Sequence, residues 1–133
     1  METRKHIAAD KNRQKTHNCA QAVACTYCDL CGLDPKVAED IAGAFGLGMG
    51  NMEGTCGSLV GAGIILGLMT KDRNLARKRM KIIMDKFKAR NGATQCRRIK
   101  GVDTGRVLRE CPDCVADAAE FLEDALTEDG WIH

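Results

Sequence analysis

Fourteen consecutive residues, Cys56 to Met69, carry no charge and place an apolar or small side chain on every side of a helix. A helix that is hydrophobic all round must be covered by its neighbours or by lipid. A membrane span needs about 20 apolar residues, so this run is too short for one and is expected to be a central core helix. Gly57 and Gly61 stand four apart and thin one of its faces, which lets another backbone come close. Cys56 lies at its start, where a helix end offers free N–H groups and a partial positive charge. That setting favours the thiolate, the form of cysteine that binds metals and attacks disulfides.

The flanking segments read as further helices. From Thr16, Cys19, Val23, Tyr27 and Leu30 fall on one face at helical spacing, and Gly32 follows as a left-handed cap. Asp34-Pro35 suits the N-cap and first residue of a second helix running to about Phe45, with Val37, Ile41 and Phe45 four apart. Gly46 to Gly54 is a loop. Its alternating Gly46, Gly48 and Gly50 follow a helix, whereas a nucleotide-binding glycine loop follows a strand. The expected role is close backbone approach to whatever Cys56 serves. A helix from Asp72 to Arg90 buries Leu75, Met80, Ile83, Met84 and Phe87, with Lys and Arg on its solvated side. Thr94 can cap a short turn holding Cys96, and Cys111-Pro112-Asp113-Cys114 opens a last helix that buries Val115, Ala118, Ala119, Leu122 and Leu126. Residues 1–15 are charged and without period, a loose or short helical lead-in. With no alternating run long enough for a sheet, residues 1–133 are expected to form one compact all-α domain of about five helices around the glycine-rich apolar one.

A net charge of +2 and 4% aromatic residues recommend no nucleic-acid partner. The opening Met-Glu-Thr-Arg-Lys-His leads into no apolar signal core, so a cytoplasmic protein without membrane insertion is expected. A reducing compartment does not maintain structural disulfides, and eight cysteines there point to metal binding or redox chemistry. Cys56, Cys96 and Cys111 each fall at or near a helix start, and Cys19 falls in the first turn of its helix. Neutral packing has no reason to prefer such positions. Four thiolates satisfy zinc or an iron–sulfur cluster, and two pairs can instead work as redox disulfides. Cys114 can take the place of Cys111. Cys25, Cys28 and Cys31 form C-x-x-C-x-x-C, a second and weaker metal or cluster set because they lie in a helix and Gly-Leu follows them. His6, His17 and His133 have no ligand spacing with one another. Glu53 is a proton acceptor for Cys56 or, more simply, a solvated loop residue.

Cys19 in Asn-Cys-Ala-Gln-Ala-Val, the run Cys56-Gly57-Ser58-Leu59-Val60-Gly61, Cys96 in Thr-Gln-Cys-Arg-Arg and the late Cys111 resemble the redox-active protein family named for its C-GCAxxG-C-C pattern. The likeness runs from about Asn18 to Leu126 and includes Ala44-Phe45-Gly46-Leu47-Gly48-Met49-Gly50. Ser58 departs from it, standing where the central motif has alanine. The resemblance implies a cysteine-based redox role and names no substrate. The resulting expectation is electron transfer through an iron–sulfur cluster or related centre on Cys19, Cys56, Cys96 and Cys111 or Cys114, with a redox protein as partner and a homodimer permitted. The alternatives are a thiol–disulfide oxidoreductase using the same cysteines without a metal, and an interaction module with structural zinc.

Overall fold

A computed structural model describes residues 1–133. It is all-α. The helices are α1 (Lys5–Arg13), α2 (Cys19–Tyr27), α3 (Pro35–Ile41), α4 (Gly57–Thr70), α5 (Arg73–Asn91), α6 (Cys96–Lys100) and α7 (Cys111–Glu128). The five expected helices are present, and α1 and the short α6 add to them.

Caps set several of the boundaries. The Asn18 side chain accepts from Gln21 N–H at 2.7 Å while the Gln21 side chain accepts from Asn18 N–H at 2.9 Å, so α2 begins at Cys19 and not at Thr16. Asp34 accepts from the N–H groups of Lys36 and Val37, and Asp72 from those of Asn74 and Leu75. Gly32, Gly92 and Gly101 close their helices with φ of 67°, 85° and 69°. After Tyr27 the helix tightens into a 3₁₀ turn, Cys28–Cys31, before Gly32. Thr94 does not cap α6. Gln95 is its N-cap residue; its side chain makes no capping bond and donates instead to the Glu53 carbonyl at 3.0 Å.

The central helix α4 packs on α2, α5 and α7. Its glycines explain the fit on one side: a Cβ at Gly61 would stand 2.5 Å from the Ala20 carbonyl oxygen, and one at Gly57 would stand 2.4 Å from that of Phe45. Coverage is incomplete on the other side. Val60, Gly63 and Ile64 are half-buried and Gly67 is exposed, so the helix is not covered all round. Two further expectations need refinement. Of the two forms expected for residues 1–15 the structure shows the short helix, and it is not loose: α1 lies along α7, burying Ala8 and Ala9, with Lys5 paired to Glu120 at 2.8 Å and Arg4 N–H donating to Glu123 at 2.8 Å. Two alanines are too short an apolar pattern to show this in sequence. In α3, which ends at Ile41 and not near Phe45, Val37 and Ile41 are exposed, because the helix meets α2 through the small side chains Ala38 and Ala42.

Candidate redox site

The starts of four helices meet at one place. Cys19, Cys96 and Cys111 are the first residues of α2, α6 and α7, and Cys56 is the N-cap residue of α4. With Cys114, one turn into α7, they line a single cavity of about 200 Å³. All five cysteines singled out for the main site are therefore brought together. Cys19, Cys56, Cys96 and Cys114 are buried and Cys111 is half-buried.

The cavity wall also holds Leu47, Gly57, Ile99, Asn18, Lys100 and Arg109, and contains no carboxylate or imidazole. A water's share of liquid volume is about 30 Å³, so the space suits a group much larger than one water. No three His, Cys, Asp or Glu side chains of the chain converge on a common point as a single bound ion requires. The thiols instead influence one another as a chain of neighbours, Cys19 with Cys111 and Cys56, and Cys56 with Cys114. Thiol donors from Cys111 and Cys56, helped by the Leu47 and Ala20 backbone N–H groups, hold the Cys19 thiol far below its usual range. The Cys56 thiol is raised by its contacts with Cys114 and Cys19 and by burial, and Cys111 is raised by Cys19 and burial. One negative charge, centred on Cys19, is what this arrangement holds most easily. Burial raises Cys96, against the attraction of the Lys100 ammonium.

The glycine-rich loop comes close to the sulfurs, as its composition suggests. Leu47, Gly48, Met49 and Gly50 all have positive φ, from 53° to 91°, giving a left-handed turn in which two residues carry side chains. Such a conformation costs roughly 1–2 kcal/mol for each non-glycine residue. The turn brings Leu47 to the cavity beside Cys19, and Gly48 lies so close to α6 that a Cβ there would be 2.5 Å from that of Cys96. Two backbone hydrogen bonds tie the loop ends together: Cys56 N–H donates to Thr94 at 2.8 Å and Cys96 N–H to Gly54 at 3.0 Å.

Three participants were not apparent from the sequence. Ser58 is fully buried with its hydroxyl 3.0 Å from Cys56 Sγ; its departure from the alanine of the resembling motif is the signal that marks it. Lys100 is a cation on the cavity wall. Asp117, buried in α7, holds Arg109 at 3.0 and 3.1 Å and also accepts from Arg90 and Asn91, so it fixes Arg109 at the cavity and α5 against α7.

Other candidates lie elsewhere. Cys25 Sγ is 3.9 Å from the Pro35 carbonyl, and Cys28 and Cys31 donate to the carbonyls of Cys25 and Cys28, both at 3.4 Å. Burial raises Cys25 and Cys31. Glu53 is exposed and pairs with Arg97 at 3.6 Å. His17 hydrogen-bonds Thr16, outside the cavity wall.

The profile of the family described as "Putative redox-active protein (C_GCAxxG_C_C)" matches residues 17–125. No curated protein and no solved structure was found to match the chain. No helix is long and apolar enough to cross a membrane.

Proposed function

Because the chain belongs to the redox-active C_GCAxxG_C_C family, we propose that it transfers electrons through an iron–sulfur cluster held in the thiol-lined cavity. Cys19, Cys56, Cys96 and Cys111 are the ligands in this reading, with Cys114 the substitute for Cys111. The observation that carries it is the meeting of five thiols from four helix starts around about 200 Å³, in a wall free of other ligating side chains. A cluster bound by four cysteines supplies one-electron chemistry at a potential set by charge, hydrogen bonds and solvent access. The chain's own residues supply those settings. Helix ends, the Leu47 N–H and Lys100 offset the negative charge of the thiolates, Ser58 hydrogen-bonds Cys56, and burial limits water. The absence of carboxylate or imidazole from the wall argues for a carrier over an enzyme that transforms a small molecule. Eight free thiols suit a reducing compartment, which supports a cytoplasmic location in this reading.

A second reading rests on the chain of neighbouring thiols Cys111–Cys19–Cys56–Cys114. With a stabilised Cys19 thiolate at its middle and a half-buried Cys111 at one end, the set also suits thiol–disulfide exchange. Anaerobic purification with an ultraviolet–visible spectrum and iron, sulfide and zinc assays separates the readings. Brown protein with stoichiometric iron and sulfide, lost in Cys56→Ala, is the expected result. Colourless, metal-free protein that stays so after reconstitution overturns it in favour of exchange, and colourless protein with stoichiometric zinc overturns it in favour of a structural site.

A further inference from the structure

The uncovered side of α4 meets α5 in an open groove of about 500 Å³, lined by Val60, Gly63, Ile64, Met80 and Met84 and beginning at Thr55, the residue before Cys56. Gly63 leaves the groove low: a Cβ there would touch only Met80 Sδ, at 3.6 Å. Methionines are adaptable contact residues and suit a surface that accepts another chain.

The charges around α5 say what that chain carries. Along the flank facing α7, each cation has an acid: Arg79 pairs with Asp129 and Glu128, Lys86 with Asp124, and Arg90 with Asp117 and Glu120. Helical spacing places Arg73, Arg77, Met80, Met84 and Lys88 on one ridge along the other flank. Arg73, Arg77 and Lys88 are exposed and have no acidic partner within the chain. The two flanks differ in what covers them. On one, α7 supplies an apolar stripe bordered by carboxylates; on the other, the apolar stripe and its cations stand open.

We propose that the α4–α5 groove binds an amphipathic helix of a partner protein, one with an apolar stripe flanked by acidic side chains. Such a helix repeats on the open flank what α7 does on the covered one, with anchors one turn apart entering the groove. A second copy of this chain is disfavoured, because a two-fold contact through the groove would bring the same unpaired cations face to face. The surface is independent of what the thiol cavity holds. Its position beside the start of α4 would bring the partner near Cys56.

The test uses the full reduced chain with ¹³C-methyl methionine. The probe is a synthetic amphipathic helical peptide with leucines on one face and glutamates on both flanks, and the control carries lysines in place of the glutamates. Met80 and Met84, and not the other four methionines, should shift with the glutamate peptide. Affinity should fall at least tenfold in Arg77→Glu/Lys88→Glu and with rising salt. Gly63→Met, which fills the groove from within, should also abolish the shifts, and circular dichroism checks that each variant is folded. Equal binding of the lysine peptide overturns the proposal. So does binding to phosphatidylserine vesicles without peptide binding, or a Met80 and Met84 shift that follows protein concentration alone.

Discussion

Two glycines of α4 make opposite demands on the same substitution. Gly61 faces α2, where an added Cβ would lie 2.5 Å from the Ala20 carbonyl oxygen and 3.0 Å from the Val23 Cβ. Ordinary contact begins near 3.4 Å, so Gly61→Ala requires α2 to retreat by about 0.9 Å. Overpacking of this kind costs about 1–3 kcal/mol. Gly67 faces open space with nothing within 4 Å, and has no positive φ to preserve. There the substitution only removes a helix glycine, worth about 0.5–1 kcal/mol in favour of alanine. The same gain operates at Gly61 and partly offsets the clash. Gly67→Ala should therefore stabilise the reduced, metal-free chain by about 0.5–1 kcal/mol, and Gly61→Ala should lie about 1–3 kcal/mol below it. Urea unfolding of the two variants, in anaerobic buffer with chelator, measures the difference without a contribution from bound metal. Because Cys19 opens the helix that must move, Gly61→Ala should also bind less iron on reconstitution. Equal stabilisation in both variants would refute the close α2–α4 contact that brings Cys19 to Cys56.

Removing the Ser58 hydroxyl deprives Cys56 of a hydrogen bond worth about 1 kcal/mol. Since about 1.4 kcal/mol corresponds to 59 mV for one electron and only the part of the bond's strength gained on reduction counts, Ser58→Ala should lower the proposed centre's potential by at most roughly 40 mV in a redox titration, and an unchanged potential would remove Ser58 from the tuning set. Asp117→Asn leaves Arg90 and Arg109 without their shared carboxylate. A broken buried pair costs about 3–5 kcal/mol, and the partial exposure of both arginines brings the expected loss in urea unfolding to about 2–3 kcal/mol; a loss under about 1 kcal/mol would deny the residue its role as a hub. Arg90 and Lys5 hold the Glu120 carboxyl below its ordinary 4.5. A depressed carboxyl stabilises the fold above its unfolded value and loses that contribution as pH falls through the folded one. Glu120→Gln should accordingly be less stable than the parent at neutral pH and converge with it on acidification below pH 4.5, as followed by thermal melts; parallel pH profiles would refute the linkage.

The legible part of this molecule is the part written in local chemistry. Asp34 and Asp72 announce helix starts because their side chains satisfy N–H groups two or three residues on, and Gly32 and Gly92 announce ends because they adopt the left-handed conformation, whereas the apolar period drew the start of α2 to Thr16 ahead of its Asn18 cap. The cysteines inherit part of that legibility. Cys19 follows the Asn18 cap and Cys111 precedes a proline suited to a first helical turn, whereas α4 and α6 start at Cys56 and Cys96 without a side-chain cap. What sequence periodicity does not give is which face a neighbour chooses. The apolar residues Val37 and Ile41 lost the contact with α2 to Ala38 and Ala42, since small side chains allow a closer approach. Val60 and Ile64 stay partly open because α5 covers only one side of α4. Asp117 reads as one acid among many on α7, and its partners come from α5 and from the segment before α7.

On the proposed reading, four helix starts around one cavity let the thiols be apolar neighbours in one state and shared ligands in another. Each helix end contributes at most about half a positive charge, with less from the five-residue α6, so the four ends together cannot balance four thiolates in a buried wall. Lys100 adds one cation, while the charge of Arg109 is largely answered by Asp117. Without a bound cationic group the cheaper arrangement keeps most thiols protonated and favours the thiolate at Cys19, between Cys111 and Cys56. A bound metal centre reverses that preference by supplying the missing positive charge, and each newly ionised cysteine must then give up its proton. Loading should therefore release protons and become more favourable as pH rises. The same neutralisation keeps the loaded site close to the charge that the helix ends and Lys100 can hold, which is the condition for a buried centre to gain and lose an electron without disturbing the fold around it.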